Sequence, residues 1–129
     1  MVNTNTCPCG TDKTYDECCK PLHQGLRIAV TAEELMRSRY VAYVKKLKDY
    51  LLDTWHSTQR AAMEGLTFEP GLRWSGLKVT ATKAGLEADS VGEVEFTASY
   101  RFHNQPAQLK EHSHFIKEEG RWYYAGIVN

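Results

Sequence analysis

The sequence has neither an excess of charge of one sign nor a long apolar run. Its 129 residues carry 16 basic and 16 acidic side chains, so the formal net charge is zero. Proteins that bind nucleic acids or anionic membranes electrostatically need clustered basic residues, and no long basic run occurs. No apolar stretch approaches the roughly 18 residues of a transmembrane helix. We therefore expect no nucleic-acid partner and no membrane partner.

The sequence also lacks a recognisable leader and the common catalytic motifs. The first ten residues, MVNTNTCPCG, have neither the basic nor the apolar part of a secretory signal, so we expect a cytoplasmic protein. No glycine-rich dinucleotide loop, Walker loop, HExxH or GxSxG sequence is present, which excludes the common phosphate-binding and hydrolase sites. Hydrophobic residues make up 42% and charged residues 25% of the chain, which is typical of a globular domain.

Cysteine is absent outside residues 7–19, where CPCGTDKTYDECC holds all four thiols of the chain. Such a cluster can form disulfides, a redox pair or a metal site. A disulfide within Cys7–Cys9 or Cys18–Cys19 would be strained, and cross-pairing is unexpected in a reducing cytosol. The redox motif CxxC is absent. A tetrahedral metal site needs four soft ligands at one point, and a flexible tail with free thiols is the remaining alternative.

The residues between the cysteine pairs favour a compact metal-binding loop. Pro8 and Gly10 suit a tight turn around the first pair, because proline fixes φ and glycine tolerates positive φ. A short helical turn from Tyr15 to Cys19 is expected to bring the last two thiols back to the first two. We expect Tyr15 to cover the site and backbone N–H groups to donate hydrogen bonds to the sulfurs.

This thirteen-residue stretch resembles the SEC-C motif, a small metal-binding module found at the C-terminus of the SecA translocation ATPase. The motif usually reads CPCGSGKxY and ends in Cys-His or Cys-Cys, whereas this chain has Thr11-Asp12 in place of Ser-Gly. The resemblance implies one structural metal ion per chain, zinc with iron as the alternative. It implies as ligands Cys7, Cys9, Cys18 and Cys19.

Helical periodicity predicts the next part of the chain, TAEELMRSRYVAYVKKLKDYLLDTWH. Thr31 and Glu34 form a capping box at the start of a first helix. Its apolar stripe consists of Met36, Tyr40, Tyr43, Val44 and Leu47. Asp49 is the predicted N-cap of a second helix, and a shorter third helix is predicted over residues 58–64.

From Leu72 onward the hydrophobic period changes from that of a helix to two. EVEFTASYRFH places alternate residues on one strand face, namely Val94, Phe96, Ala98, Tyr100 and Phe102. Together with LRWSGLKVTAT, QLKEHSHFIK and RWYYAGIV it predicts an antiparallel meander of four strands with tight turns. Helices followed by a sheet indicate an α+β fold in which the helices pack on one sheet face.

The segments LMRSRYVAYV, DYLLDTWH, FTASYR, LKEHSHF and GRWYYAG together resemble the YchJ-like family of SEC-C-containing bacterial proteins. The resemblance covers essentially the whole chain. It implies a nuclear-transport-factor-2-like (NTF2-like) cone, in which helices close against a curved antiparallel sheet and enclose a pocket. We expect two units: the SEC-C motif over residues 1–24 and the NTF2-like domain over residues 25–129.

Residues 109–116 supply the best candidate for a site inside this cone. If Leu109 and Phe115 face the core, Glu111 and Ser113 share that side, because strand side chains alternate. The helical segments supply the other predicted pocket residues, Arg37, Arg39, Tyr40, Tyr43, Trp55 and His56. We expect Glu111 to form a buried ion pair with one of the two arginines, with ligand binding and general-base catalysis as alternatives.

These observations predict a metal-binding interaction module fused to a cone that binds a ligand or a protein, with no catalysis expected. The resemblance to the SecA module implies a protein partner in translocation, at the ribosome or among chaperones and nascent chains. A homodimer is a further option. The alternative is a small-molecule-binding protein, or an enzyme that uses the cone pocket with Glu111 as its general base.

Overall fold

An antiparallel sheet forms the frame of the computed structural model, which describes residues 6–128. Within these residues the sheet has four strands in the order β1-β2-β3-β4. The strands are Leu72–Ala84 (β1), Val91–Phe102 (β2), Gln105–Glu118 (β3) and Arg121–Ile127 (β4). The α-helices of the described part all precede the sheet: Lys20–His23 (α1), Ala32–Lys45 (α2), Lys48–Asp53 (α3) and Ser57–Arg60 (α4). This order confirms the predicted α+β architecture.

The inner face of the sheet carries the predicted alternation along β2. Val94, Phe96 and Ala98 are buried, whereas Phe102 at the end of the strand is 37% exposed. Phe102 lies next to the turn at His103 and Asn104, so it falls outside the part of the sheet that the helices cover. Phe102 thus belongs to the predicted strand face but not to the buried core.

Register shifts bend the strands that border the cone. β1 shifts against β2 between Trp74 and Gly76 and again between Val79 and Ala81. A third shift separates His114 from Phe115 in the pairing of β3 with β4. Such bulges bend a strand and increase its local twist. They give the sheet the curvature that a cone of helices and strands requires.

Helix α2 begins as predicted, at Thr31. The Oγ1 atom of Thr31 accepts a hydrogen bond from the backbone N–H of Glu34 at 3.1 Å. The carboxylate of Glu34 accepts in turn from the N–H of Val30 at 2.8 Å, one residue before the cap. The helix ends at Lys45, and its C-cap residue Lys46 adopts the left-handed conformation with φ of 60°. Both ends of α2 are thus fixed locally, and the helix is a firm support for the side chains it carries.

The shorter helices differ from their predicted starts. Helix α3 has Leu47 as its N-cap residue, without a side-chain cap bond, so the prediction that Asp49 caps it is wrong. Asp49 lies in the first turn, where its negative charge still favours the helix dipole. The predicted third helix is α4 followed by a 3₁₀ turn over Ala61–Met63. It starts earlier than predicted because His56 caps it, with Nδ1 accepting from the N–H of Thr58.

One hydrophobic core connects the N-terminal cysteine unit with the cone. It contains Cys9, Cys19 and Leu22 from the first part of the chain, together with residues from α2 and the sheet such as Val41 and Phe115. The boundary between residues 24 and 25 stays a prediction, and burial is continuous across it. Among residues 6–128 no helix is both long and apolar enough to cross a membrane.

Candidate functional site

The four cysteine sulfurs lie together at the N-terminal end of the described chain, all within 4.8 Å of one another. An antiparallel bridge between Thr6 and Thr14 closes the loop that carries Cys7 and Cys9. The backbone N–H of Cys7 donates to the carbonyl of Lys13 at 2.8 Å within this loop. A 3₁₀ turn over Tyr15–Glu17 then leads to the second pair of thiols. Local backbone geometry therefore brings the two pairs together.

The spacing of the sulfurs suits a tetrahedral metal ion. Sγ of Cys9 lies 3.6 Å from Sγ of Cys18, and Sγ of Cys18 lies 3.9 Å from Sγ of Cys19. Four sulfurs at about 2.3 Å from a central ion are about 3.8 Å apart at the corners of a tetrahedron. All four cysteines are free thiols rather than disulfides. An all-sulfur set of this shape could hold a metal ion, and tetrahedral sulfur sites suit zinc or iron.

A hydroxyl group supports the sulfurs from the side. Oγ1 of Thr11 lies 3.3 Å from Sγ of Cys18 and 3.6 Å from Sγ of Cys9. The threonine thus presents a hydroxyl where the usual SEC-C sequence has serine. A donor of this kind stabilises metal-bound thiolates and fixes their orientation. Backbone N–H groups were the predicted donors to the sulfurs. Thr11 adds a side-chain hydroxyl to them.

The thiols of the cluster influence one another's ionisation. Hydrogen bonds from the thiols of Cys19 and Cys7 hold the pKa of Cys9 below its usual range. The hydrogen bonds of Cys19 to Cys7 and Cys9, together with burial, raise the pKa of Cys19. The cluster therefore stabilises a shared thiolate, and a metal ion that binds all four sulfurs must displace the remaining protons.

Two polar side chains attach the cysteine unit to helix α2. Nη1 of Arg37 donates to the carbonyl oxygen of Cys9, while its Nε donates to Glu33 at 2.9 Å. The ring of His23 joins the Tyr15 hydroxyl to the carbonyl of Ser38, each at 2.8 Å. His23 is thus a structural link at the end of α1, and the helix is held to the cysteine unit at two points.

A cavity of about 240 Å³ lies between α2 and the inner face of the sheet. Six of the predicted pocket residues line it. Helix α2 presents Arg39, Tyr40 and Tyr43 to the cavity, because residues three or four apart share a helix face. The other three are Trp55 after α3 and, on β3, Glu111 and Ser113. The structure thus brings together residues that are far apart in the chain.

The structure places the other two predicted pocket residues, Arg37 and His56, outside the lining of this cavity. Arg37 lies on the flank of α2 that faces the cysteine unit. His56 caps α4, with Nδ1 2.7 Å from the Thr58 hydroxyl and Nε2 3.1 Å from a Glu118 oxygen, without the alignment of a hydrogen bond. Their prediction as pocket residues is corrected accordingly.

Glu111 is held by hydroxyl groups instead of an arginine. Its Oε2 accepts hydrogen bonds from Ser113 at 2.6 Å and from the Tyr124 hydroxyl at 3.0 Å. Within residues 6–128 no lysine or arginine nitrogen approaches its carboxylate within 4.0 Å, so the expected ion pair does not form. Tyr124 also lines the cavity, although it is not among the predicted pocket residues. The alternation of side chains along RWYYAG, together with the pairing of β3 with β4, indicates that Tyr124 lies on the inner face of the sheet.

Arg39 is the cationic group of the cavity and is only 5% exposed. Its Nη1 donates to the carbonyl of Leu51 at 2.8 Å and to the Thr54 hydroxyl at 2.6 Å. Its Cζ lies 4.5 Å from the ring centre of Trp55 and 4.7 Å from that of Tyr124. Burial lowers the pKa of Arg39 to about 10, so the guanidinium stays charged at neutral pH.

The chain matches proteins from several bacteria over almost its full length. The family described as "YchJ, middle NTF2-like domain" matches residues 31–126. A UPF0225 protein of Streptomyces coelicolor is 44% identical over 95% of this chain and 94% of its own length. A UPF0225 protein of Geobacter sulfurreducens is also 44% identical, over 94% of this chain and 77% of its own length.

Two solved structures have the same fold. The solution structure of a SEC-C motif containing protein from Rhodopseudomonas palustris has a TM-score of 0.79 and 36% identity, covering 95% of this chain and 98% of that one. The crystal structure of a SEC-C motif containing protein from Psychrobacter arcticus has a TM-score of 0.76 and 27% identity, covering 98% and 84%. The likeness includes the N-terminal cysteine unit as well as the cone.

Proposed function

This chain belongs to the YchJ-like family of SEC-C motif proteins with an NTF2-like domain, and on that premise we propose that it is a small-molecule-binding protein stabilised by a structural metal ion. In this proposal the cysteine unit binds the metal and supports α2. The cone cavity, which α2 helps to form, binds the ligand. The single observation that carries the proposal is the open cavity whose two charged groups, Arg39 and Glu111, are not paired with each other.

Zinc is the metal that we propose for the cysteine unit. The four sulfur donors leave no coordination position for water or a substrate, so the ion would stabilise the fold rather than perform chemistry. Thr11 and Arg37 would support it from outside, through the sulfurs and the Cys9 carbonyl. A reducing compartment such as the cytoplasm fits this assignment, because the ligands must be reduced thiols.

The cavity has the composition of a ligand site. Aromatic side chains such as Tyr43, Trp55 and Trp74 form much of its wall, and a few polar groups lie among them. Small-molecule sites usually combine an apolar wall with a small number of placed polar groups. Catalysis is not part of the proposal, because the described residues around Glu111 are hydroxyls that hold its carboxylate in place rather than a nucleophile and base set.

The partners in translocation, at the ribosome or among chaperones stay predictions of the sequence resemblance, as does a homodimer. Ligand binding has the more direct support from the molecule, because it follows from the cavity itself. A protein partner would be compatible with it, since the cysteine unit and the cavity lie on different sides of α2.

A nuclear magnetic resonance titration tests the proposal. The probe is 4-methylbenzyl alcohol, a neutral molecule with one aromatic ring, added to the metal-loaded chain. We expect saturable shifts confined to residues of the cavity, with a dissociation constant in the millimolar range or below, on the order of 10⁻³ M, as befits so few atoms.

The matched variants are Leu109→Trp and Leu86→Trp. Leu109 lines the cavity and is 40% exposed, so a larger ring there can fill the opening without disturbing the core. Leu86 is 65% exposed and lies away from the cavity. Loss of binding in Leu109→Trp alone would support the proposal. No saturable shift in the original chain, or equal binding in both variants, would overturn it.

A further inference from the structure

The cavity offers one cationic and one anionic group that each have unused hydrogen-bonding capacity. We propose that its ligand is a small amphoteric aromatic molecule, with an acid group that binds Arg39 and a cationic group that binds Glu111. This inference rests on the proposed function, since it names the chemical class of the molecule that the cavity binds.

The guanidinium of Arg39 uses only part of its donor capacity. Its Nη1 donates to Leu51 and Thr54, and the guanidinium also shares a side-chain hydrogen bond with Tyr43, another residue that lines the cavity. These bonds use only some of the five N–H groups of the guanidinium, and Arg39 lines the cavity where a ligand would meet the others. Within residues 6–128, the only fully buried side-chain nitrogen or oxygen without a hydrogen-bond partner is Nε2 of His56. Any nitrogen of Arg39 that lacks a partner is therefore not fully enclosed by protein. The edge formed by Nε and Nη2 presents parallel N–H groups, the arrangement that binds both oxygens of a carboxylate.

The carboxylate of Glu111 likewise has one oxygen that is free to accept a hydrogen bond. Oε2 accepts both hydroxyl hydrogen bonds, from Ser113 and Tyr124, while Oε1 accepts none from the described residues. An ionised carboxylate accepts hydrogen bonds through both oxygens, so Oε1 remains available. The two hydroxyls fix the orientation of the carboxylate, which prepares Oε1 to bind a cationic donor of the ligand.

The two charges would ordinarily be expected to pair with each other. They line the same cavity, but no ion pair within 4.0 Å joins them in the described structure. Each charge has only neutral hydrogen-bond partners, which replace only part of the water that a buried charge has lost. A ligand with both kinds of charge would satisfy Arg39 and Glu111 at once. A ligand with only an acid or only a cationic group would leave one of them without an oppositely charged partner.

The arrangement around Tyr124 sets the length of the ligand. Its ring centre lies 4.7 Å from the Arg39 Cζ, and its hydroxyl binds Glu111 at 3.0 Å. Because one tyrosine side chain contacts both charged groups, a ligand with about one aromatic ring can reach both of them. The cavity volume of about 240 Å³ is below the roughly 300 to 1,000 Å³ of sites for drug-sized molecules, which also indicates a single ring. Tyr40, Tyr43 and Trp74 provide faces against which such a ring can pack.

Four probes with the same ring test the inference on the metal-loaded chain. They are 4-(aminomethyl)benzoate with both charges, 4-methylbenzoate, 4-methylbenzylamine and the neutral 4-methylbenzyl alcohol. Dissociation constants come from nuclear magnetic resonance titrations at neutral pH. We expect the amphoteric probe to bind at least roughly tenfold more tightly than either singly charged probe.

The variant Glu111→Gln separates the contribution of the carboxylate from that of the cavity. It preserves the shape of the side chain and removes its charge. We expect it to abolish the advantage of 4-(aminomethyl)benzoate over 4-methylbenzoate. If the variant does not fold, the comparison of the four probes on the original chain still decides the question.

The outcomes distinguish the two proposals. Binding of all four probes with similar affinity would overturn the amphoteric ligand and leave the proposed function standing. Equally tight binding of 4-methylbenzoate and the amphoteric probe would also overturn it, because Arg39 alone would then explain the affinity. Binding of none of the probes would overturn both proposals.

Discussion

The guanidinium of Arg37 donates a hydrogen bond to the carbonyl oxygen of Cys9, 28 residues earlier in the chain. Gly10 follows this carbonyl with φ of 97°, and a Cβ atom there would lie 3.3 Å from Nη1 of Arg37 and 3.1 Å from the Leu77 carbonyl. Glycine thus permits the close approach of the cysteine loop to α2. The contact joins a proposed metal ligand to the helix that supplies Arg39, Tyr40 and Tyr43 to the cavity.

Replacing Arg37 by glutamine should therefore weaken the cysteine unit. The Cys9 carbonyl would lose a hydrogen bond to a charged donor, and such bonds contribute about 1.5 to 3 kcal/mol. We expect the free energy of unfolding in urea to fall by about 1 to 2 kcal/mol, since part of the bond is recovered by water. We also expect faster transfer of the bound metal to a chelator.

The control for Arg37→Gln is Arg73→Gln, which removes the same group from an exposed position on β1. The control should leave both the free energy of unfolding and the rate of metal transfer unchanged. Equal metal transfer in the two variants would show that the contact between Arg37 and Cys9 does not stabilise the cysteine unit.

The hydroxyl of Tyr124 should contribute to stability through Glu111. Burial first, and then the charge of Glu111, raise the pKa of Tyr124, so the hydroxyl is the donor in this contact. In Tyr124→Phe, Glu111 keeps only the hydrogen bond from Ser113. We expect a loss of about 1 to 2 kcal/mol in the free energy of unfolding, because a charged acceptor loses a partner inside the cone.

Tyr123→Phe is the matched control, since it removes the same atom from the neighbouring residue. Tyr123 lies against the ring of His56 and makes no hydrogen bond with the described residues through its hydroxyl. It should unfold as the original chain does. A similar loss of stability in both variants would contradict a specific role for the contact between Tyr124 and Glu111.

The sequence alone predicted the architecture because its hydrophobic period changes once. A period of helical type up to α3 and a period of two from Leu72 define the helices, the strands and the sheet face that the helices cover. The position of Arg39 could also have been separated from that of Arg37. Arg39 lies three residues after Met36 and shares its helix face, whereas Arg37 lies on the flank.

The partner of Glu111 could not be predicted in this way. Periodicity places Glu111 on the inner sheet face, but it does not give the distance from β3 across the cavity to α2. The structure shows that hydroxyls on β3 and β4 are nearer than either arginine. The N-cap of α3 at Leu47 could not be predicted either, because the left-handed Lys46 that follows α2 fixes where the next helix can begin. Both features depend on the packing of elements rather than on local preference.

The stability of the chain should fall as the pH falls below the ordinary pKa of histidine, partly because of His23. Burial beside Tyr15 and Tyr50 lowers the pKa of His23 from its ordinary value of 6.5, and the charge of Lys45 acts in the same direction. The hydrogen bond to the Ser38 carbonyl opposes this shift only in part. The unfolded chain therefore binds a proton more readily than the folded chain. The contribution of the neutral ring is complete above pH 6.5 and is lost as the pH falls through the lower pKa of the folded state.

Urea unfolding between about pH 7 and pH 5 measures this effect. We expect His23→Gln to be less stable than the original chain at the upper end and the difference to shrink at the lower end. His103→Asn is the control, because His103 is exposed in the turn between β2 and β3. A difference between His23→Gln and the original chain that stays constant with pH would contradict the assignment.

Removal of the metal should have the largest effect of all, because the cysteine unit shares its core with the cone. Metal analysis of protein purified without added metal should give about one ion per chain, with a colourless solution for zinc and a coloured one for iron. Cys19→Ser should lose the ion, and the free energy of unfolding should fall toward that of chelator-treated protein. Metal binding to such sites contributes on the order of 10 kcal/mol.

Thr11→Val keeps all four sulfurs and removes only the hydroxyl beside Cys18. It should keep the ion with roughly 10 to 100 times lower affinity. Four titratable thiols in the native chain, with no metal, would contradict the assignment, and the support of α2 would then have to come from Arg37 and His23 alone.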